Sequence, residues 1–166
     1  KRAHVIVFTK ADKASSGIDV LKSRLKEING GLLFVEAAHK PDHFYETKTR
    51  EVHDLSFVKG KRVMLLSSIG DPSYFEETVK GLGAAISGRI IFPDHHNYTK
   101  TDADRIVRIC DEKNFDVVVT TDKDMVKLSR MSLSLGKYAL VTLMIEMDIV
   151  KGKDEFVDRL RRLYTN

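Results

Sequence analysis

Residues 63–83 read VMLLSSIGDPSYFEETVKGLG, and their order decides the fold. Val63, Met64, Leu65 and Leu66 are consecutive apolar residues with no polar alternation, as expected of a strand covered on both faces. The run ends at Ser67, and a helix begins shortly after. Asp71 is placed to cap it, Pro72 fits the first helical position, and Glu76 and Glu77 lie toward the positive end of the dipole. Phe75, Val79 and Leu82 recur on one face, and Gly81 and Gly83 end the segment. A buried strand that feeds an amphipathic helix is the repeating unit of a parallel α/β sheet.

The same alternation extends in both directions. Residues 4–8 (HVIVF) and 32–37 (LLFVEA) read as strands, and between them Ile18, Leu21, Leu25 and Ile28 recur at helical spacing before Gly30 and Gly31. Residues 86–92 form the next strand. A helix follows with Ala103, Ile106, Val107 and Cys110 on its apolar stripe, and Thr101 with Asp104 resembles a capping box. Residues 117–120 (VVVT) are a further strand, residues 125–133 a helix, and residues 140–145 the last strand. The terminal helix carries Phe156, Leu160 and Leu163 on a face expected to pack on the sheet. Arg159, Arg161 and Arg162 lie beside that face and offer contact to an anionic bilayer. The expected architecture is a three-layer Rossmann-like α/β domain over residues 1–166, its sheet mostly parallel and its helices on both faces. Residues 40–61 are polar, hold no clear helix, and suit a loop, a hairpin or a linker.

The 166 residues, 42% hydrophobic and 31% charged, are those of one ordinary globular domain. The net charge of +4, from 28 basic and 24 acidic residues, is too mild for a nucleic-acid binder and suits a phosphate or lipid headgroup. A single cysteine, Cys110, excludes an internal disulfide framework. Its place on an apolar stripe reads as a buried structural thiol. No apolar run approaches the length of a membrane-spanning helix. The chain begins at Lys1 with no methionine and enters a strand almost at once, as expected of a piece of a longer protein.

Chemistry-bearing residues gather in three blocks at strand-to-helix turns: residues 68–72 (SIGDP), 92–99 (FPDHHNYT) and 120–124 (TTDKD). In a parallel sheet all three turns emerge at one edge, where open α/β folds bind their ligands. Asp94, His95, His96 and Tyr98 offer a carboxylate-oriented imidazole for proton transfer. The competing reading is a solvated turn closed by Asp94. A metal is disfavoured, since adjacent imidazoles on an extended chain point apart and no HxH or HxxxH spacing helps; His39, Asp42 and His43 could supply further ligands only by accident of folding. Thr121, Asp122, Lys123 and Asp124 offer hydroxyls and an ammonium to a phosphate or nucleotide, or simply cap the following helix. Lys10 lies in Thr9-Lys10-Ala11-Asp12, a TKxD pattern that some nucleotide hydrolases use to read guanine. Neither GxxxxGKS, GxxxxGKT nor GxGxxG occurs in the chain, so the usual phosphate cradle is missing.

Taken together, IGDPSYFEETVKGLGA, IFPDHHNYT and VVVTTDKDMVKL, with the opening HVIVFTK, resemble the C-terminal portion of the tetraacyldisaccharide 4'-kinase (lipid A 4'-kinase) family. TTDKD stands for that family's TTEKD, and Ser68 stands where the family often has glycine. The resemblance implies a second α/β domain upstream, joined by a short β linker, that carries the phosphate-binding loop and binds ATP and Mg2+. It implies transfer of the γ-phosphoryl group to the 4'-hydroxyl of tetraacyldisaccharide 1-phosphate, with peripheral contact at the cytoplasmic face of the bacterial inner membrane and no nucleic-acid partner. It further implies that His95 pairs with a catalytic aspartate of the other domain, oriented by Asp94 and Tyr98, with His96 the lesser candidate. On this reading the 166 residues alone are inactive. Two readings from other classes stay open: a binding module for a phosphorylated sugar or nucleotide, and a small metal-dependent hydrolase using the histidine and aspartate cluster.

Overall fold

A computed structural model describes residues 3–13, 15–131, 135 and 138–164. The chain forms two compact units, Lys1–Lys40 with Glu146–Asn166, and Pro41–Ile145. The strands β2 (Leu33–Glu46) and β7 (Ala139–Lys151) each run from one unit into the other.

The larger unit holds a parallel array in the order β7, β6 (Val117–Thr121), β4 (Arg62–Ser67), β5 (Ala85–Ile91). The apolar run of residues 63–66 lies on an inner strand, β4, paired on one side with β5 and on the other with β6. Residues 63–67 are all buried, and alternation divides them between the two faces of the sheet. Val63 and Leu65 join Val117, Val119, Val141 and Leu143 in one core with Phe75 and Val79 of α2 (Pro72–Gly81). Met64, Leu66 and Val118 join the other core with Ile106 and Cys110 of α3 (Lys100–Glu112) and Leu128 of α4 (Asp122–Leu128). Helix, sheet and helix make three layers, as the sequence predicts. β5 is an edge strand, with alternating exposure. Gly88 on it permits close packing, because a Cβ there would sit 2.7 Å from the Met64 Cε.

Local signals set the helix starts. Asp71 caps α2 by accepting from the Tyr74 N–H at 3.0 Å, with Pro72 in the first position. The cap of α3 lies two residues before the expected one. Thr99, not Thr101, is the N-cap, and Asp102, not Asp104, closes the capping box. α4 begins at Asp122 rather than Met125 and gives way to a 3-10 turn at Ser129–Met131; the rest of the expected helix lies outside the described residues. Within residues 40–61, β2 continues to Glu46 and pairs antiparallel with β3 (Glu51–His53), after which a 3-10 turn (Leu55–Val58) buries Val58.

The smaller unit pairs β1 (Val5–Phe8) in parallel with the first residues of β2, and adds α1 (Ser15–Ile28) and α5 (Lys153–Tyr164). Glu36 is buried there between Lys22 and Lys151, and both ammonium groups hold its carboxyl below the usual range, Lys22 most strongly. The α5 face expected to pack on the sheet is only partly covered, Phe156 half-buried, and the apolar stripe of α1 is mixed as well. Ile18 is buried, but Leu21 and Ile28 of α1 are exposed, Ile28 at 65%, and Leu160 and Leu163 of α5 are exposed, Leu163 at 71%. Arg159, Arg162 and Leu163 instead line an open cleft of about 510 Å³ with Leu33, Glu155 and Asp158.

Candidate functional site

The three polar blocks of the larger unit follow β4, β5 and β6, and one carboxylate joins them. Asp124, in the first turn of α4, is fully buried and accepts four hydrogen bonds. The donors are the Ser68 N–H at 3.0 Å, the Ser68 hydroxyl, the Thr121 hydroxyl at 2.7 Å and the Tyr98 phenol at 3.1 Å. Each of the three turns thus supplies a donor, and the first supplies two. Four donors offset the desolvation that an ionised carboxylate suffers in a dry interior. Burial pushes the Tyr98 phenol well above its ordinary range, and the nearby Asp124 charge adds to the shift. It acts as a donor at any physiological pH.

This arrangement sorts the residues singled out from the sequence. Thr121 and Asp124, read either as ligand-facing or as part of a helix cap, are buried and turned on one another; Thr121 also accepts from the Asp124 N–H and so caps α4. Asp122 and Lys123 are exposed beside them. Tyr98 is half-buried, its ring edge-on to Phe92 at 5.1 Å. Lys10 lies in the other unit, in the turn after β1, at φ 55°.

The two histidines part company. His96 is turned inward: its ring stacks on Phe92 at 4.7 Å, and Nε2 donates to Asp102 Oδ2 at 2.9 Å. The His96 bond, followed by those from Thr99, holds the Asp102 carboxyl at about 2, against an ordinary 3.8. His95 is turned outward, 84% exposed in its side chain, with Asp94 Oδ2 3.7 Å from Nε2. Its backbone sits at φ 59°, the left-handed region that few side chains other than Asn, Asp and His enter readily. The Asp94 carboxylate accepts from the His95 N–H at 3.0 Å. Gly70 makes room for that carboxylate, since a Cβ there would stand 3.2 Å from Asp94 Oδ2.

Two contributors escaped the sequence reading. Lys127 donates to the His96 carbonyl at 2.9 Å and reaches the Ser68 hydroxyl at 3.4 Å. Asp102 serves the helix cap and His96 with the same oxygen. The signal for Asp102 was the spacing Thr99-x-x-Asp102, masked by the overlapping Thr101-x-x-Asp104. Nothing in the sequence marked Lys127 beyond its place one turn after Asp124.

Among the described residues, the group with a metal-ligand composition is Glu46, Glu51 and His53, at the β2–β3 hairpin, not the histidine turn. His53 stacks on Phe57 with centroids 4.1 Å apart.

The fold and the rim define an α/β domain that gathers its polar residues at the carboxyl ends of parallel strands, the place where such sheets meet ligands. More particularly, the chain belongs to the tetraacyldisaccharide-1-P 4'-kinase family, whose sequence model matches residues 1–165. It is 30% identical over 155 residues to a tetraacyldisaccharide 4'-kinase of Anaeromyxobacter sp. (strain K), covering 93% of this chain and 41% of that protein. A second, from Elusimicrobium minutum (strain Pei191), is 31% identical over 157 residues, covering 94% and 41%. The chain therefore spans about two fifths of the length of these relatives. The crystal structure of the "apo" form of LpxK from Aquifex aeolicus in complex with ATP matches with a TM-score of 0.53 at 15% identity, over 96% of this chain and 52% of that one. At that identity the likeness is one of fold.

Proposed function

We propose that this chain is the C-terminal part of a kinase that transfers the γ-phosphoryl group of ATP to the 4'-hydroxyl of tetraacyldisaccharide 1-phosphate, at the cytoplasmic face of the inner membrane. Family membership supports the reaction. The missing GxxxxGKS or GxxxxGKT loop supports the division of labour, because the usual triphosphate cradle would then come from another part of the protein. The exposed apolar faces of α1 and α5 in the smaller unit support a further part of the same protein packed there. The membrane contact proposed is peripheral; no helix among the described residues is long and apolar enough to cross a membrane.

The observation that carries the site is the contrast between two adjacent imidazoles. His96 is engaged by Asp102 and stacked on Phe92, whereas His95 is held out on the rim with Asp94 beside it. In this reading His95 orients a carboxylate, supplied by chain outside these residues, that takes the proton from the acceptor hydroxyl. Phosphoryl transfer asks of the protein mainly positioning and charge neutralisation, so a fixed imidazole suits it. Magnesium accompanying ATP would supply charge neutralisation to the phosphates during transfer. Asp102 and Asp124 are committed to hydrogen bonds within the turn cluster, so these two carboxylates are not offered to a metal.

The test is the full-length kinase carrying His95→Ala. Its kcat should fall by roughly a hundredfold or more, the scale of lost acid–base assistance, with KM for ATP within about twofold of the parent. Near-normal kcat removes His95 from the mechanism. The 166 residues alone, mixed with ATP and the lipid acceptor, should give no product. Turnover by that chain overturns the division of labour, and stoichiometric zinc or manganese in the purified chain favours the hydrolase reading.

A further inference from the structure

The turn that bears His95 makes few bonds of its own. Between Phe92, buried at the end of β5, and Thr99, the cap of α3, it holds the His96 N–H to the Pro93 carbonyl at 3.1 Å and the His95 N–H to the Asp94 carboxylate. These two contacts bracket a residue at φ 59°, a conformation an L-residue leaves readily unless its surroundings fix it. Asp102 of α3 and the Phe92 ring hold the His96 side chain, and the remaining grips on the turn come from α4. Lys127 Nζ grips the His96 carbonyl at 2.9 Å, one peptide beyond His95, and Asp124 grips the Tyr98 phenol at 3.1 Å. Both are on one helix, three residues apart and so on one face. Asp124 is itself immobilised by Ser68 and Thr121, which ties that face to the turns after β4 and β6.

We propose that Lys127 and Asp124 are positioning residues for His95: a two-point clamp from α4 that holds the histidine turn in its left-handed form and so fixes the direction in which the imidazole leaves the rim. The proposal rests on the kinase reading of His95 for its effect on rate, and on the geometry alone for its effect on the backbone. Aligned catalytic groups lose rate steeply when displaced, which is why a clamp outside the reacting set matters.

The experiment is run in the full-length kinase with Lys127→Met and Tyr98→Phe, each of which removes one grip and leaves the Asp124 carboxylate in place, where Asp124→Asn risks unfolding. In each variant kcat should drop by about ten- to a hundredfold with KM for ATP unchanged. In a His95→Ala background neither should lower kcat further, because a group that acts only through His95 has nothing left to act upon. A merely structural role would give the same loss in both backgrounds, and that result overturns the proposal. So does kcat within twofold of the parent in both variants while His95→Ala is crippled. Selective 13C labelling of histidine reads the backbone independently: the His95 Cα shift should leave its left-handed value in Lys127→Met. If His95→Ala is itself near normal, the kinase role of His95 fails, and the Cα shift alone judges the clamp; an unmoved shift overturns it.

Discussion

Asp102→Asn isolates the charge that the His96 turn and the α3 cap share. One carboxylate oxygen accepts from His96 Nε2 at 2.9 Å, the Thr99 N–H at 2.8 Å and the Thr99 hydroxyl at 2.8 Å. These bonds favour the ionised form, His96 most strongly, so the folded chain holds Asp102 at about 2 where 3.8 is ordinary. At roughly 1.4 kcal/mol per pH unit, that preference contributes about 2 kcal/mol to stability wherever the carboxyl is ionised in both states. Asparagine keeps an acceptor oxygen of the same size but carries no charge. A group depressed on folding contributes fully above its unfolded value and loses its contribution as pH falls through the folded one. The stability gap between parent and variant should therefore be about 2 kcal/mol at pH 7 and close between about pH 4 and pH 2. Urea unfolding followed by circular dichroism across that range measures it, and comparing the two chains cancels the other carboxylates. A gap that is absent at pH 7, or that keeps its size down to pH 2, refutes the assignment of the charge to this cluster.

Two further outcomes follow from close packing. Gly152, between β7 and α5, sits at φ 77°, and a Cβ there would come within 2.6 Å of the Phe34 carbonyl oxygen. Gly152→Ala should lower stability by more than about 1 kcal/mol in the same unfolding assay, since both backbone conformation and space oppose the methyl; an unchanged midpoint refutes it. Cys110 is fully buried against the core of α3, and burial pushes its thiol up to about 11. Iodoacetamide at pH 8 should alkylate it at least about a hundredfold faster in urea than in the folded chain, because the reactive species is the thiolate. Equal rates refute the buried placement.

The parts of this fold that were legible in the sequence are those where one physical signal dominates. The strand at Arg62–Ser67 had to be buried on both faces because no residue from 63 to 66 is polar, and Asp71-Pro72 admits one helix start. Where two signals overlap, the sequence alone does not choose. Thr99-x-x-Asp102 and Thr101-x-x-Asp104 are equally good caps, and the first forms because Asp102 also finds His96. Periodicity says which residues share a face but not whether anything covers that face, which is why Leu21, Ile28, Leu160 and Leu163 emerge exposed. The convergence of three distant turns was readable from topology. The commitment of Thr121 and Asp124 to each other, rather than to a ligand, depends on a depth of burial that no local pattern carries.

The left-handed backbone at position 95 also limits what a mutational survey there can mean. That conformation by itself admits a short vocabulary of side chains, with glycine, asparagine, aspartate and histidine prominent in it and β-branched residues excluded. A library selected only for soluble expression will already be depleted of valine, isoleucine and threonine at this codon. Enrichment of histidine over asparagine, which the peptide geometry accepts as readily, is then the part of the signal that belongs to chemistry.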